Sequence, residues 1–130
     1  MSRISTLALG VMASSLALAT AAQAHPRLVA SSPANGAVVH GVRTIQLQFS
    51  EQLVPAFTGG QLMMNAMPGM PGMAGRQPMP VSVRSIVTNH GRNLRFTTQS
   101  PLRPGSYHLD WHAVSTDTHR VSGGMSFTVK

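Results

Sequence analysis

Over most of the chain, apolar and polar positions alternate with the period of a strand. From Val42 to Phe49, Ile45, Leu47 and Phe49 fall on one side and Gln46 and Gln48 on the other, the repeat of a half-buried strand. Tyr107, Leu109 and Trp111 alternate in the same way with His108, Asp110 and His112, and Met125, Phe127 and Val129 alternate with Ser126, Thr128 and Lys130. Shorter strands are predicted at Arg27 to Ala30, Gln61 to Met64, Val81 to Val87 and Asn93 to Thr97. Turn signals at Pro33-Ala34-Asn35-Gly36, Asn89-His90-Gly91 and Pro104-Gly105 separate them. About seven short strands without a convincing helical stretch predict an all-β chain, an antiparallel sandwich or small barrel with Greek-key connections.

The first 24 residues stand outside that pattern. Arg3 supplies a short positive region, Leu7 to Leu18 is an apolar stretch too short to span a bilayer, and Ala22-Gln23-Ala24 is a small-x-small cleavage signature. The predicted organisation is therefore a cleaved signal peptide over 1–24 and one domain over 25–130, with no membrane span after processing. A retained anchor is the alternative, and the interruptions at Ser14, Ser15 and Thr20 weigh against it. Export places the domain in an oxidising compartment, which in a bacterium is the periplasm or beyond. His25 becomes the new N-terminus.

Composition removes several kinds of chemistry. The 130 residues contain no cysteine, which excludes a disulfide framework, a thiolate zinc site and a cysteine nucleophile. Ten basic residues face only three acids, Glu51, Asp110 and Asp117, but the basic residues are scattered singly with few aromatics among them. A nucleic-acid surface would cluster them. Three acids in all also argue against a two-carboxylate hydrolase.

Methionine is the overrepresented residue, and it is concentrated in one place. From Asn65 to Pro80 the chain reads NAMPGMPGMAGRQPMP, whose four prolines and three glycines exclude a helix or a central strand. A loop of this length inside a compact domain is usually functional or disordered. Six of the nine methionines lie from Met63 to Met79, and Met64, Met67, Met70 and Met73 are spaced at three. In an extended Pro/Gly segment that spacing returns each side chain to about the same side, because a polyproline II turn takes three residues. Thioether sulfur is a soft, neutral donor that favours Cu(I). An adaptable apolar patch for a partner is the competing reading; Met63, beside Leu62 on a predicted strand, reads as core or strand edge.

A second set of donors lies near the two ends of the processed chain. His25 would carry both an α-amine and an imidazole, which can chelate one metal together. Pro26 has no amide proton to lose, so the next backbone nitrogen cannot become a ligand and further donors must come from elsewhere. Asp117 and His119 sit two apart, and in an extended segment such residues point the same way. Amine, imidazoles and carboxylate suit tetragonal Cu(II). His108, Asp110 and His112 share a strand face and read as a solvated surface rather than a metal patch.

These motifs resemble the copper-resistance proteins of the CopC/PcoC family. The likeness runs through His25-Pro26-Arg27-Leu28-Val29, Ser32-Pro33-Ala34-Asn35-Gly36, Phe49-Ser50-Glu51, Met64-Asn65-Ala66-Met67-Pro68-Gly69-Met70 and the segment from Asp110 to His119. The resemblance implies a Greek-key β-barrel, cupredoxin-like or Ig-like, that carries and sequesters copper in the periplasm without transforming it. It implies a Cu(II) site at His25, Asp117 and His119 and a separate Cu(I) site in the methionine loop at the other end of the barrel. Family members with both sites often place a histidine among the methionines, whereas no histidine occurs here between His40 and His90 and the loop is lengthened, with Met73 inserted. An all-thioether set is expected: Met64, Met67, Met70 and Met79, with Met73 as an exchangeable fifth.

Three functional classes follow. The leading one is a non-enzymatic copper carrier or buffer that accepts Cu(I) and Cu(II) and exchanges them with a periplasmic or inner-membrane transport protein. A copper-dependent redox enzyme built on a histidine-brace-like N-terminus is the second, and the lack of a broad aromatic substrate face argues against it. A module whose methionine loop binds a partner protein is the third.

Overall fold

The computed structural model describes residues 25–67 and 77–130, so the predicted signal peptide at 1–24 lies outside the described residues, as do Met70 and Met73. The described chain forms nine strands and one short 3-10 turn: β1 (Leu28–Ser32), β2 (Val38–Val39), β3 (Thr44–Phe49), β4 (Gly59–Ala66), β5 (Met79–Val81), β6 (Arg84–Thr88), β7 (Asn93–Thr97), β8 (Gly105–Val114) and β9 (Arg120–Val129), with the 3-10 turn at Pro55–Phe57. They pack as two sheets, one ordered β1-β3-β7-β6 and the other β2-β9-β8-β4-β5. All pairings are antiparallel except the two-residue β2 against β9. No helix among the described residues is long and apolar enough to cross a membrane.

The alternation of the sequence sets which side of each strand is buried. Ile45, Leu47 and Phe49 of β3, Leu94 and Phe96 of β7, Tyr107, Leu109 and Trp111 of β8 and Met125, Phe127 and Val129 of β9 form the core between the sheets. Phe49 meets Trp111 edge-on at 5.1 Å, and Tyr107 stacks on Phe127 at 5.4 Å. The first contact ties the two sheets together across the core, and the second joins neighbouring strands β8 and β9 within one sheet.

The prediction at Val81 to Val87 needs correction. The segment is two strands, since β5 pairs with β4 in one sheet and β6 pairs with β7 in the other. The chain changes sheets at Ser82 and Val83, a corner that alternation alone does not reveal because both halves keep the strand period. The predicted loop from Asn65 to Pro80 is correspondingly shorter, as β4 runs through Ala66 and β5 begins at Met79. β2 carries only two residues, too few to register as a pattern.

Candidate metal centre

The turn between β8 and β9 carries one donor pair. Ser115 follows β8 and is buried; its N–H donates to the His119 carbonyl at 2.9 Å, and the Thr118 N–H donates back to the Ser115 carbonyl at 2.9 Å. Thr118 closes the turn at φ 74°, a region that costs a β-branched residue on the order of 1–3 kcal/mol. The expectation of extended backbone at Asp117 and His119 is thus replaced by a tight turn, which nonetheless brings the two side chains together. His119 Nδ1 lies 2.9 Å from Asp117 Oδ2, and the His119 N–H lies 3.4 Å from Asp117 Oδ1. The Ser115 hydroxyl donates to the same Oδ1.

These donors hold Asp117 as a carboxylate. The Ser115 hydroxyl first, and the His119 ring second, hold the Asp117 carboxyl well below the usual carboxylate range, at about 2. A carboxylate can only accept, so the neutral tautomer of His119 that fits this contact is the one with its proton on Nδ1 and its lone pair on Nε2. The His25 ring stands edge-on to His119, with centroids 4.3 Å apart and planes at 65°. Pro26 anchors it there. That proline is fully buried, and beyond it the Arg27 N–H donates to Ser50 Oγ at 3.0 Å while its carbonyl accepts from the Ser50 N–H at 2.9 Å. Among the described residues no three His, Asp or Glu side chains form a ready-made cage. The geometry is a braced imidazole with a second imidazole against it.

Methionines gather at the opposite end of β8. Met64 on β4 is directly opposite Met79 on β5, and on its other side opposite Tyr107 on β8. Between Met64 and Ala66 the ladder slips by one residue, so two steps along β4 match the single step from Tyr107 to Ser106. Such a bulge flips the side-chain alternation. Met67 therefore returns to the same face as Met64, and the three-residue spacing is realised by a bulged strand where the sequence suggested a polyproline turn. Met64, Met67 and Met79 line one cleft of about 420 Å³ together with Pro101, Leu102 and Tyr107. Met64 is core, 6% exposed, while Met79 is 43% exposed. The Tyr107 hydroxyl donates to the Arg103 carbonyl at 2.6 Å and closes the floor, and burial pushes its pKa up.

The histidines on the outer face of β8 stay apart from both clusters. His108 Nδ1 lies 2.7 Å from Ser126 Oγ and Nε2 lies 3.1 Å from Asp110 Oδ1, so both ring nitrogens are already engaged.

Comparison with known proteins decides what kind of domain this is. A family model for the CopC domain matches residues 28–130. The chain belongs to the CopC family. Copper resistance protein C of Xanthomonas campestris pv. juglandis is 44% identical over 120 residues, covering 92% of this chain and 91% of that protein. Copper resistance protein C of Pseudomonas syringae pv. tomato is 41% identical over 129 residues, covering 98% and 94%. The crystal structure of PcoC, a methionine-rich copper resistance protein from Escherichia coli, superposes with a TM-score of 0.72 at 37% identity, covering 82% of this chain and all of that one.

Within this CopC domain the sequence reading named candidate donors but not the residues that support them. Ser115 carries the largest effect on Asp117, and the Ser-x-Asp spacing that lets a hydroxyl reach a carboxylate two residues on was the available signal. Glu51 went unassigned; it lies at the His25 end, where the carbonyl of neighbouring Gln52 accepts from the Thr116 N–H at 3.0 Å. No local pattern announces that contact.

Proposed function

We propose that the protein carries or sequesters copper in the periplasm after removal of residues 1–24, and that it holds the two oxidation states at opposite ends of the barrel. Cu(II) would take the α-amine and imidazole of His25 and Nε2 of His119, with Asp117 either bracing His119 or turning to the ion. Cu(I) would take the thioethers of Met64, Met67 and Met79, joined by Met70 and Met73. The observation that carries the reading is the segregation of donors: nitrogen and carboxylate groups around the β8–β9 turn, sulfur alone among the soft donors in the cleft at the start of β8. A strand of ten residues separates them, roughly 30 Å at 3.3 Å per residue. At that distance neither ion shares a ligand with the other. The names of the relatives, copper resistance proteins, support carriage rather than catalysis.

The deciding experiment is a titration of processed protein, beginning at His25, with Cu(II) and Cu(I) separately. Independent saturation by each ion, with neither displacing the other, is the expected result. Competition for one site would refute the two-site reading.

A further inference from the structure

The arginines among the described residues lack acidic partners. Among the described residues the side-chain ion pairs are His108 with Asp110 and His119 with Asp117, so two of the three acids are taken by histidines and no arginine is paired. Three of those arginines converge on one place. Where β5 leaves its sheet and β6 joins the other, Ser82, Val83, Arg84, Thr97, Thr98 and Gln99 line a groove of about 450 Å³. Ser82, Thr98 and Gln99 also line the methionine cleft, so the two concavities run into each other. Arg84 lines the groove, the Arg43 guanidinium donates to the Gln99 carbonyl at 2.7 Å beside it, and Arg103 lines the adjoining cleft.

The groove also borders two open sheet edges. β5 is the last strand of one sheet and β6 the last of the other, so among the described residues no strand pairs with the outward edge of either, and β6 offers the fuller set of backbone groups because Pro80 of β5 has no N–H. Such edges accept an added strand. A second copy paired through β6 would bring no carboxylate to Arg84, since β6 itself, RSIVT, contains none. A bilayer is too flat to enter a concavity. An extended acidic segment meets every feature: backbone pairing along β6, an apolar contact at Ile86, which is 51% exposed, and carboxylates on Arg84 and Arg43.

We propose that this groove docks an extended, acidic segment of a partner protein, setting that partner's own donors beside Met64, Met67 and Met79. The docking itself needs no metal; only the identity of the partner as a copper-exchange protein rests on the Cu(I) reading above.

The test uses copper-free processed protein and a fluorescein-labelled peptide of alternating aspartate and threonine, followed by anisotropy and by amide shifts. Shifts confined to β6, Ser82 and Thr97 to Gln99 are expected, with affinity lowered about tenfold by Arg84→Gln or Arg43→Gln, as loss of one charge-assisted contact would give. Arg120→Gln, which removes the same charge from β9 in the other sheet, should leave affinity unchanged. Backbone N-methylation of the peptide should abolish binding. Equal weakening by all three substitutions would mean diffuse charge attraction and overturn the proposal. So would binding to phosphatidylglycerol vesicles, lost in Arg84→Gln, without peptide binding. Cu(I) titration of the same variants should be unchanged, so a failed Cu(I) site and a failed docking groove give different results.

Discussion

Met64 and Met79 are direct cross-strand partners on the short β4–β5 ladder, although fifteen positions separate them in sequence. One is buried in the core and the other reaches solvent, so the pair links the packed interior to the mouth of the cleft. A thioether pair that begins in the core is positioned by folding itself.

That relationship separates the sulfur of Met64 from its volume. Met64→Leu conserves the packing and should cost less than about 1.5 kcal/mol, whereas Met64→Ala should cost about 2–5 kcal/mol. Combined with Met79→Leu, it is expected to weaken Cu(I) binding strongly and leave Cu(II) binding intact. Chemical denaturation alongside competition with a Cu(I) chelator would separate lost ligation from lost fold.

Extending the processed chain by one glycine before His25 moves the α-amine away from the His119 ring. Cu(II) affinity is expected to fall strongly while Cu(I) binding and thermal stability stay the same, because Pro26 and Arg27 still anchor the segment. Isothermal titration of both forms measures the difference, and equal Cu(II) affinities would exclude the amine as a ligand.

Ser115→Ala removes the largest cause of the low Asp117 pKa. The carboxyl should then titrate above its present value of about 2, which carbon-detected NMR of the side chain would follow. The sign for stability follows from linkage: the folded pKa is depressed, so the Asp117 contribution is present above the ordinary carboxylate range and is lost as pH falls through about 2. In the variant that loss should shift to higher pH.

Nitrogen donors must shed protons to bind a metal, and thioethers have none to shed. Cu(II) affinity is therefore expected to decline as pH drops below neutrality, with Cu(I) affinity in the cleft nearly flat over the same interval. Asp117, ionised throughout that interval, contributes no part of the slope. Parallel pH series of the two titrations test this; equal slopes would place nitrogen donors in both sites.

Gly123 lies opposite Trp111, and a Cβ there would come within 2.5 Å of the indole ring. Gly123→Ala should destabilise the fold by about 1–3 kcal/mol through overpacking and change the Trp111 emission in the absence of metal. Denaturation followed by fluorescence reads both effects.

The sequence by itself determined the fold class, because burying one side of each strand requires the alternation seen at Ile45-Leu47-Phe49 and Tyr107-Leu109-Trp111, and a solvent-exposed helix would not show that period. It also supplied the donor types, since thioether, imidazole and carboxylate chemistry belongs to the side chains wherever they lie. Only the tertiary structure decided which of them meet. His25 reaches His119 because Pro26 and Arg27 are fastened to Ser50, a contact with no local signature. Met67 joins Met64 because a bulge reverses the strand's alternation, and Met79 joins both because the chain returns as β5. Register and sheet exchange are settled by competition among long-range pairings, and a pattern of period two is the same before and after the chain changes sheets.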